Sequence, residues 1–203
     1  MSTHRAIPAV LGVFAVGFAA TGCGAARSSL PSARARAAPA ERTTGSFAWL
    51  SGGPAPGSWP RGAPLAAGRL SPPPGFVPLR GDPGSVSFER LDGRARIVGY
   101  LNATPRQGTE TLADWPGFRV AHNAAEGDRQ VRLIAAVTRR RIGGARASCV
   151  ADRYRTRLSV YREVACLIVK PSGAAVVVGA APPGAWAAQR PVLERAITGF
   201  AAS

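Results

Sequence analysis

The sequence predicts an α+β domain in which a largely antiparallel sheet is covered by a C-terminal helix and a short helix. Turn signals separate runs of strand-forming residues, and the last part of the chain has apolar residues at near-helical spacing. The chain has 203 residues, of which 46% are hydrophobic. That length suits one ordinary domain, and that composition excludes wholesale disorder and a collagen-like fibre.

Residues 1–22 have the layout of a secretory signal peptide. Arg5 precedes an apolar run from Ala6 to Ala20, and small residues follow it. A run of about 15 apolar residues is shorter than the ~20 that span a bilayer. We therefore expect export with removal of this segment, and a transmembrane anchor is the alternative.

The residues Ala20-Thr21-Gly22-Cys23 resemble the lipobox of bacterial lipoprotein signals. Ala20 departs from the family pattern, which usually has Leu there, and this leaves ordinary secretion as an alternative. The resemblance implies that Cys23 begins the mature chain and carries diacylglyceryl on its sulfur, with palmitate among the acyl chains. It also implies a location on the extracytoplasmic face of the cell membrane, where the acyl chains hold the protein.

Residues 23–69 are expected to form a flexible spacer, and residues 70–203 a single α+β domain. The spacer is rich in Ala, Arg, Pro, Gly and Ser, and it cannot bury enough apolar surface to offset its ordering entropy. Phe47, Trp49 and Trp59 interrupt it. We expect these aromatic side chains to dock on the domain, and a contact surface for another molecule is the alternative.

The first predicted elements of the domain are a hairpin and a short helix. Residues 86–91 form a strand, Asp92-Gly93 is a turn signal, and residues 95–102 form the antiparallel partner. Residues 109–115 are then expected to be helical, ended by Pro116, with an extended course after it.

The later segments complete the sheet and cover it. The strand over residues 130–140 has apolar residues on both faces, which predicts burial on both sides. In order, we expect this strand, a turn at Gly143-Gly144, strands over residues 146–156, 160–169 and 174–180, and a helix over residues 184–200.

Cys149 and Cys166 are expected to form a structural disulfide. Export removes them from the reducing cytosol, and lipidation of Cys23 leaves an even number of cysteines. The sequence has no Cys-x-x-Cys motif that favours a redox role.

Direct pairing of the two cysteines on neighbouring strands creates a conflict of charge. It sets Asp152 opposite Glu163 and Arg153 opposite Arg162, and like charges that face each other are unfavourable. Three alternatives stay open, namely a bulge, a diagonal disulfide, and a bridge between strands that are not adjacent.

The order and pattern of several features carry a resemblance. These are Val86-Ser87-Phe88 in the first strand, a short helix ending in Trp115, the Gly143-Gly144 hairpin, Tyr154 with Tyr161-Arg162-Glu163, and a closing helix ending in Phe200. They resemble the PsbP-like α-β-α sandwich family, which includes extrinsic photosystem subunits and many bacterial lipoproteins of unassigned role. The resemblance covers about residues 70–203. It implies a non-catalytic docking or assembly scaffold, and it carries over no catalytic residue.

The net charge of +15 reflects 26 Lys+Arg against 11 Asp+Glu. All of these basic residues except Lys170 are Arg, a compositional skew that weakens the charge as a sign of a polyanionic partner. No recognition helix or aromatic stacking motif accompanies it, so nucleic acid is not expected as a partner.

His122 is the one histidine of the mature chain and the best candidate for catalysis. No Gly-x-Ser-x-Gly elbow supplies a nucleophile, no His or Cys pair stands at metal-ligand spacing, and no Gly-rich phosphate loop is present. We expect no catalytic residue, no metal site and no cofactor. An envelope hydrolase using His122 is the alternative.

Six arginines are the candidates for anion binding. They suit wall polymer, phospholipid or an acidic protein, and the alternative is that they blunt sheet edges against aggregation. The sequence thus predicts an exported, membrane-anchored cell-envelope lipoprotein that acts as a non-catalytic binding or assembly accessory. The six are Arg139, Arg140, Arg141, Arg153, Arg155 and Arg157.

Overall fold

The computed structural model describes residues 50, 54–65, 67–106 and 108–200. The expected signal peptide, the lipid site at Cys23, and the aromatic residues Phe47 and Trp49 lie outside the described residues. Within the described ranges, no helix has the length and apolar content needed to cross a membrane.

The described residues form nine strands and two helices. In chain order they are β1 (Ala63–Leu65), β2 (Gly68–Leu70), β3 (Val77–Leu79), β4 (Val86–Leu91), β5 (Ile97–Pro105), α1 (Trp115–Ala125), β6 (Arg129–Ile142), β7 (Ala145–Arg155), β8 (Val160–Lys170), β9 (Gly173–Ala181) and α2 (Pro183–Thr198).

Seven of these strands form one antiparallel sheet in the order β3-β4-β5-β9-β8-β7-β6, and β1 pairs with β2 in a separate hairpin. Helix α2 packs on β5, β8 and β9, and α1 packs on β6 and β7. The predicted α+β class, with a large antiparallel sheet and a C-terminal helix, is confirmed.

The two faces of the sheet carry separate apolar cores, because successive strand residues point to opposite faces. On one face, the disulfide-bonded Cys149 and Cys166 pack in the same core as Leu193 and Ile197 of α2. On the other, Trp115 of α1 donates a hydrogen bond of 3.1 Å from its Nε1 to the carbonyl oxygen of Ala165. Its apolar neighbours there are Val150, Ala165, Leu167, Val176 and Val178.

The closing helix predicted over residues 184–200 is α2, which contains Pro191. It approaches β9 closely at Gly179. A Cβ built at that position would lie 3.1 Å from the Cβ of Leu193 and 3.2 Å from the Cδ1 of Ile197. The absence of a side chain at Gly179 therefore allows α2 to pack closely against β9.

The short helix was predicted in the wrong place. It begins at Trp115 and runs to Ala125, so residues 117–120 are helical rather than extended, and Pro116 lies in the first turn rather than after the last. Proline is tolerated there because the first N–H groups of a helix have no partner within it. The prediction took Pro116 as a stop signal when it is a start signal.

The prediction that residues 130–140 are buried on both sides is also wrong. These residues belong to β6, which is an edge strand, and Ile134 is 43% exposed. Ala136 on the same face is exposed as well. Alanine is common both inside and on the surface, so its position in the pattern does not distinguish one buried face from two.

Part of the predicted spacer is folded. Strands β1 and β2 pair with Ala63 opposite Leu70, and Leu70 is fully buried in the core under α2. Trp59 packs against the same core, as expected for a docked aromatic side chain. The folded part therefore extends upstream of the boundary expected at residue 70, because these apolar side chains are buried against the sheet.

Candidate functional site

A cleft opens on the α1 face of the sheet, beside the helix. We call it the α1 cleft. It contains a cavity of about 240 Å³ and an adjoining one of about 80 Å³, which share Thr104, Arg119, His122 and Val176 in their walls. The polar side chains that matter for its chemistry are Tyr100, Asn102, Arg119, His122, Tyr154 and Glu163.

The sheet and the helix each supply one wall of the cleft. Alternate residues of β5, Leu101 and Ala103, are buried toward α2, so Tyr100, Asn102 and Thr104 face the α1 side. Since α1 packs over β6 and β7, it leaves these β5 residues half-buried. On α1 itself, Arg119, His122 and Asn123 recur at the three- and four-residue spacing that brings side chains to one helix face.

The floor of the cleft is a buried cluster around Glu163. The Nε and Nη2 of Arg119 each lie 2.7 Å from Oε1 of Glu163. The hydroxyl of Tyr154 donates to Oε2 of the same carboxylate over 3.1 Å. The Glu163 side chain is fully buried and that of Arg119 is 14% exposed. Both oxygens of the carboxylate are therefore occupied by protein donors.

A second carboxyl group lies directly beside this cluster. Asp152 on β7 is in register with Glu163 on β8, and both are buried. Burial, reinforced by the charge of Glu163, raises the pKa of Asp152 to about 8. Oδ2 of Asp152 accepts a hydrogen bond of 3.3 Å from Nδ2 of Asn123, and Oδ1 has no partner among the described residues. Burial and the charge of Glu163 both favour the neutral form of Asp152.

The other titratable groups of the cluster keep their protons. Burial works against the charge of Arg119, but the carboxylate of Glu163 outweighs it and raises the pKa of the guanidinium. Burial and the charge of Glu163 also raise the pKa of Tyr154. The cluster thus contains one ion pair, one neutral carboxyl and one neutral phenol.

The register of β7 and β8 decides among the alternatives left open by the sequence. Cys149 faces Cys166 directly with a Cα–Cα distance of 4.1 Å, and they form a disulfide. Asp152 faces Glu163 in the same register. This direct register excludes the bulge, the diagonal disulfide and the bridge between non-adjacent strands, and it leaves Arg153 opposite Arg162 as well.

His122 lies on α1 and lines both cavities. Its ring stacks on that of Phe118 with centroids 5.9 Å apart. Glu110, which the sequence did not single out, lines the smaller cavity and is 3% exposed, and its Oε2 has no partner among the described residues. The described ranges contain no group of three His, Cys, Asp or Glu residues that could hold a metal ion.

The structure separates the six candidate arginines into two groups. Residues 139–141 lie at the end of β6, where they line a groove of about 670 Å³ with Arg146. Arg153, Arg155 and Arg157 lie at the opposite end of β7 or in the turn after it. Along β7, positions 146 and 153 are about 23 Å apart at ~3.3 Å per residue. The six arginines do not form one patch.

No family model matches the sequence, and no curated protein matches it. A crystal structure of a protein of unknown function from Pseudomonas aeruginosa is similar, with a TM-score of 0.46 and 16% identity over 64% of this chain and 88% of that chain. The solution structure of cyanobacterial PsbP from Synechocystis is also similar, with a TM-score of 0.49 and 18% identity over 70% of this chain and 96% of that chain. These similarities concern the fold alone.

Proposed function

We propose that the protein is an exported, lipid-anchored cell-envelope protein that acts by binding, with the α1 cleft as its binding site. The anchor is supported by the lipobox-like residues that end in Cys23. Action by binding is supported by one observation, namely that Arg119 and Tyr154 occupy both oxygens of the buried Glu163 carboxylate.

A cluster in which protein donors already occupy both oxygens of the carboxylate favours binding over catalysis. A general base needs a free lone pair within hydrogen-bond reach of the substrate, and a general acid needs a proton that it can release near neutral pH. Both oxygens of Glu163 are already engaged, and the raised pKa of Tyr154 keeps its proton in place. The cluster instead holds the side chains of the cleft wall in one geometry, which lowers the entropic cost of ordering them when a ligand binds.

The remaining groups of the cleft indicate a small, neutral, hydroxyl-rich ligand. Tyr100 presents a hydroxyl group, and Ser85, whose Oγ donates to the carbonyl oxygen of Asp82 over 2.6 Å, can only accept. Asn102 donates from Nδ2 to Oγ of Ser87 over 2.9 Å, which leaves its Oδ1 as an acceptor. Val176 and Val178 add an apolar part of the wall. A cavity of about 240 Å³ has room for one sugar ring.

The anchor is tested by intact mass spectrometry of the protein extracted from the membrane fraction. The proposal expects a chain that begins at Cys23 and has the added mass of diacylglyceryl. A chain that retains residues 1–22, or that begins at Cys23 without lipid, contradicts it.

The ligand class is tested with N-acetylglucosamine as a probe. The mature chain from residue 23, with Cys23→Ser to prevent lipidation, is titrated while backbone amide shifts are followed by NMR. We expect shifts confined to the α1 cleft. Tyr100→Phe is expected to weaken binding about tenfold through loss of one hydrogen bond. Tyr161 lines neither cavity, and Tyr161→Phe keeps the ring that packs 5.9 Å from that of Tyr154, so this substitution is expected to leave affinity unchanged. No shifts, or equal weakening by both substitutions, contradicts the ligand class.

An envelope hydrolase is the second candidate, because His122 lines both cavities. Hydrolysis of p-nitrophenyl acetate separates the two candidates. Turnover that His122→Ala abolishes and that Tyr161→Phe retains favours the hydrolase. Identical background rates in the wild type and in His122→Ala favour the binding protein.

A further inference from the structure

Five exposed arginines share one face of the sheet, near the turn that joins β7 to β8. Arg132, Arg153 and Arg162 are in register across β6, β7 and β8, and Arg129 is in register with Arg155 closer to the turn. Residues in register on neighbouring strands point to the same side, and strands lie ~4.8 Å apart, so the row of three spans about 10 Å. We call these five residues the arginine face.

The arginine face has no counter-ions of its own. None of its five guanidinium groups forms a salt bridge with any described residue. Two buried acids, Asp152 and Glu163, lie in the same strands but point to the opposite face, toward α1. Like charges directly opposite each other destabilise a sheet. The row of three therefore carries positive charge that no described acid neutralises.

An apolar side chain projects from the turn next to this face. Leu158 is 96% exposed. The turn that carries it is held by Thr156, whose N–H donates to the carbonyl oxygen of Ser159 over 2.9 Å. The Oγ1 of Thr156 also accepts from the backbone N–H groups of Leu158 and Ser159, over 3.1 Å and 3.0 Å. Leu158 is thus presented to solvent by a fixed turn, with Arg157 beside it.

We propose that this corner of the domain docks on an anionic phospholipid surface. The arginine face contacts the headgroups, and Leu158 enters the boundary of the acyl layer. A soluble polyanion offers negative charge but no apolar layer for Leu158, so the combination fits a membrane better than a polymer. This docking needs neither the lipid anchor nor a ligand in the α1 cleft.

The test measures vesicle binding by the mature chain from residue 23 with Cys23→Ser, which has neither the signal peptide nor a lipid. Vesicles contain either phosphatidylcholine alone or about 30% phosphatidylglycerol, and binding is followed by co-sedimentation at low and high salt. We expect binding only to the anionic vesicles, weakened by salt. Combining Arg132→Gln, Arg153→Gln and Arg162→Gln is expected to reduce affinity about a hundredfold.

The matched control removes the same charge from the other end of the sheet. Arg80, Arg106 and Arg139 are exposed there, and their combined change to Gln is expected to alter affinity less than about threefold because distant charges are screened. Equal losses of vesicle affinity in the two triple variants would show that binding depends on net charge alone. That result would overturn the proposal.

Leu158→Ser separates a membrane from a soluble polyanion. It is expected to weaken vesicle binding about tenfold, because the apolar side chain no longer leaves water. It is expected to leave any binding of soluble polyphosphate unchanged. The membrane assignment is overturned if Leu158→Ser leaves vesicle affinity unchanged. It is also overturned if the protein binds polyphosphate but not vesicles.

Discussion

Asp152 and Glu163 face each other across β7 and β8, three residues from the disulfide between Cys149 and Cys166 that lies in the same register. Two ionised carboxylates in this position would repel each other inside the protein. Burial, with the charge of Glu163, raises the pKa of Asp152 to about 8, which favours a single negative charge on the pair at neutral pH. Arg119 balances that charge at 2.7 Å.

This pair predicts a pH dependence of stability. Because the pKa of Asp152 is about 8 in the folded state and near 3.8 in the unfolded state, the folded state binds more protons between these values. The free energy of unfolding should therefore fall as pH rises from about 4 to about 8, through a contribution of up to ~1.4 kcal/mol per pH unit. Asp152→Asn should remove this contribution in urea unfolding measured across the range.

The control for that experiment is Asp82→Asn, an exposed acid on the loop before β4. The substitution should leave the slope of stability against pH as in the wild type. Burial also raises the pKa of Glu194 to about 7, against the opposing charge of Arg190, so part of the wild-type slope should survive in Asp152→Asn. Parallel curves for the wild type and Asp152→Asn would show that Asp152 is ionised in the folded protein.

Glu163→Gln is predicted to be strongly destabilising. It leaves the guanidinium of Arg119 buried without its ionic partner, which costs about 3–5 kcal/mol. Adding Arg119→Met should recover a large part of this loss, because the unpaired buried charge is then gone. Denaturant unfolding of the two single variants and the double variant measures the coupling.

The exposed pair Arg96–Asp92 is the matched comparison for the buried pair. Its N–O distance is also 2.7 Å, but the Arg96 side chain is 69% exposed. Arg96→Gln should therefore lower stability far less than Glu163→Gln does. A loss for Arg96→Gln as large as that for Glu163→Gln would contradict the assigned difference in burial.

Removal of the disulfide by the double substitution Cys149→Ala and Cys166→Ala is predicted to lower stability by about 3 kcal/mol. The bridge closes a loop with a sequence separation of 17, and both sulfurs are buried in the core under α2. Thermal unfolding of the variant and the wild type measures the change. A thiol assay of the unreduced wild type should detect no thiol at either position, and reaction at both would contradict the bridge.

Loss of the central row of arginines is predicted to stabilise the isolated protein. Replacing Arg132, Arg153 and Arg162 with Gln relieves repulsion between directly opposed like charges, at about 0.2–1 kcal/mol per pair. The gain in melting temperature should shrink as salt is added, because exposed charges are screened. A gain that is independent of salt, or a loss of stability, would show that the arginines do not repel each other in the folded state.

Strong local signals made much of the sheet predictable. Gly143 and Gly144 both adopt positive φ, 54° and 81°, at the turn where the sequence places one. The paired strands β7 and β8 follow from strand-forming residues between turn signals, and the buried β9 from a continuous apolar run. By contrast, Pro116 is compatible with both the end and the start of a helix, and only the packing of Trp115 in the core selects the start.

The α1 cleft could not be predicted because its residues are scattered along the chain. Tyr100 and Asn102 come from β5, Arg119 from α1, and Tyr154 and Glu163 from β7 and β8. One signal was visible in the sequence, since the register set by the cysteines places Asp152 opposite Glu163. The charge of Glu163 is balanced by Arg119, which lies on α1. The sequence predicts this helix several residues too early, so it does not bring Arg119 to Glu163.

The most direct test of the account is a ¹³C NMR titration of the Asp152 side-chain carboxyl in the mature chain. The binding proposal depends on a closed cluster in which Glu163 is paired with Arg119 and Asp152 holds a proton. We predict that Asp152 is protonated at pH 6 and titrates with a pKa of about 8. A carboxyl that titrates near pH 4 would contradict it, because a second ionised carboxylate would then lie beside the cleft, available for acid–base chemistry.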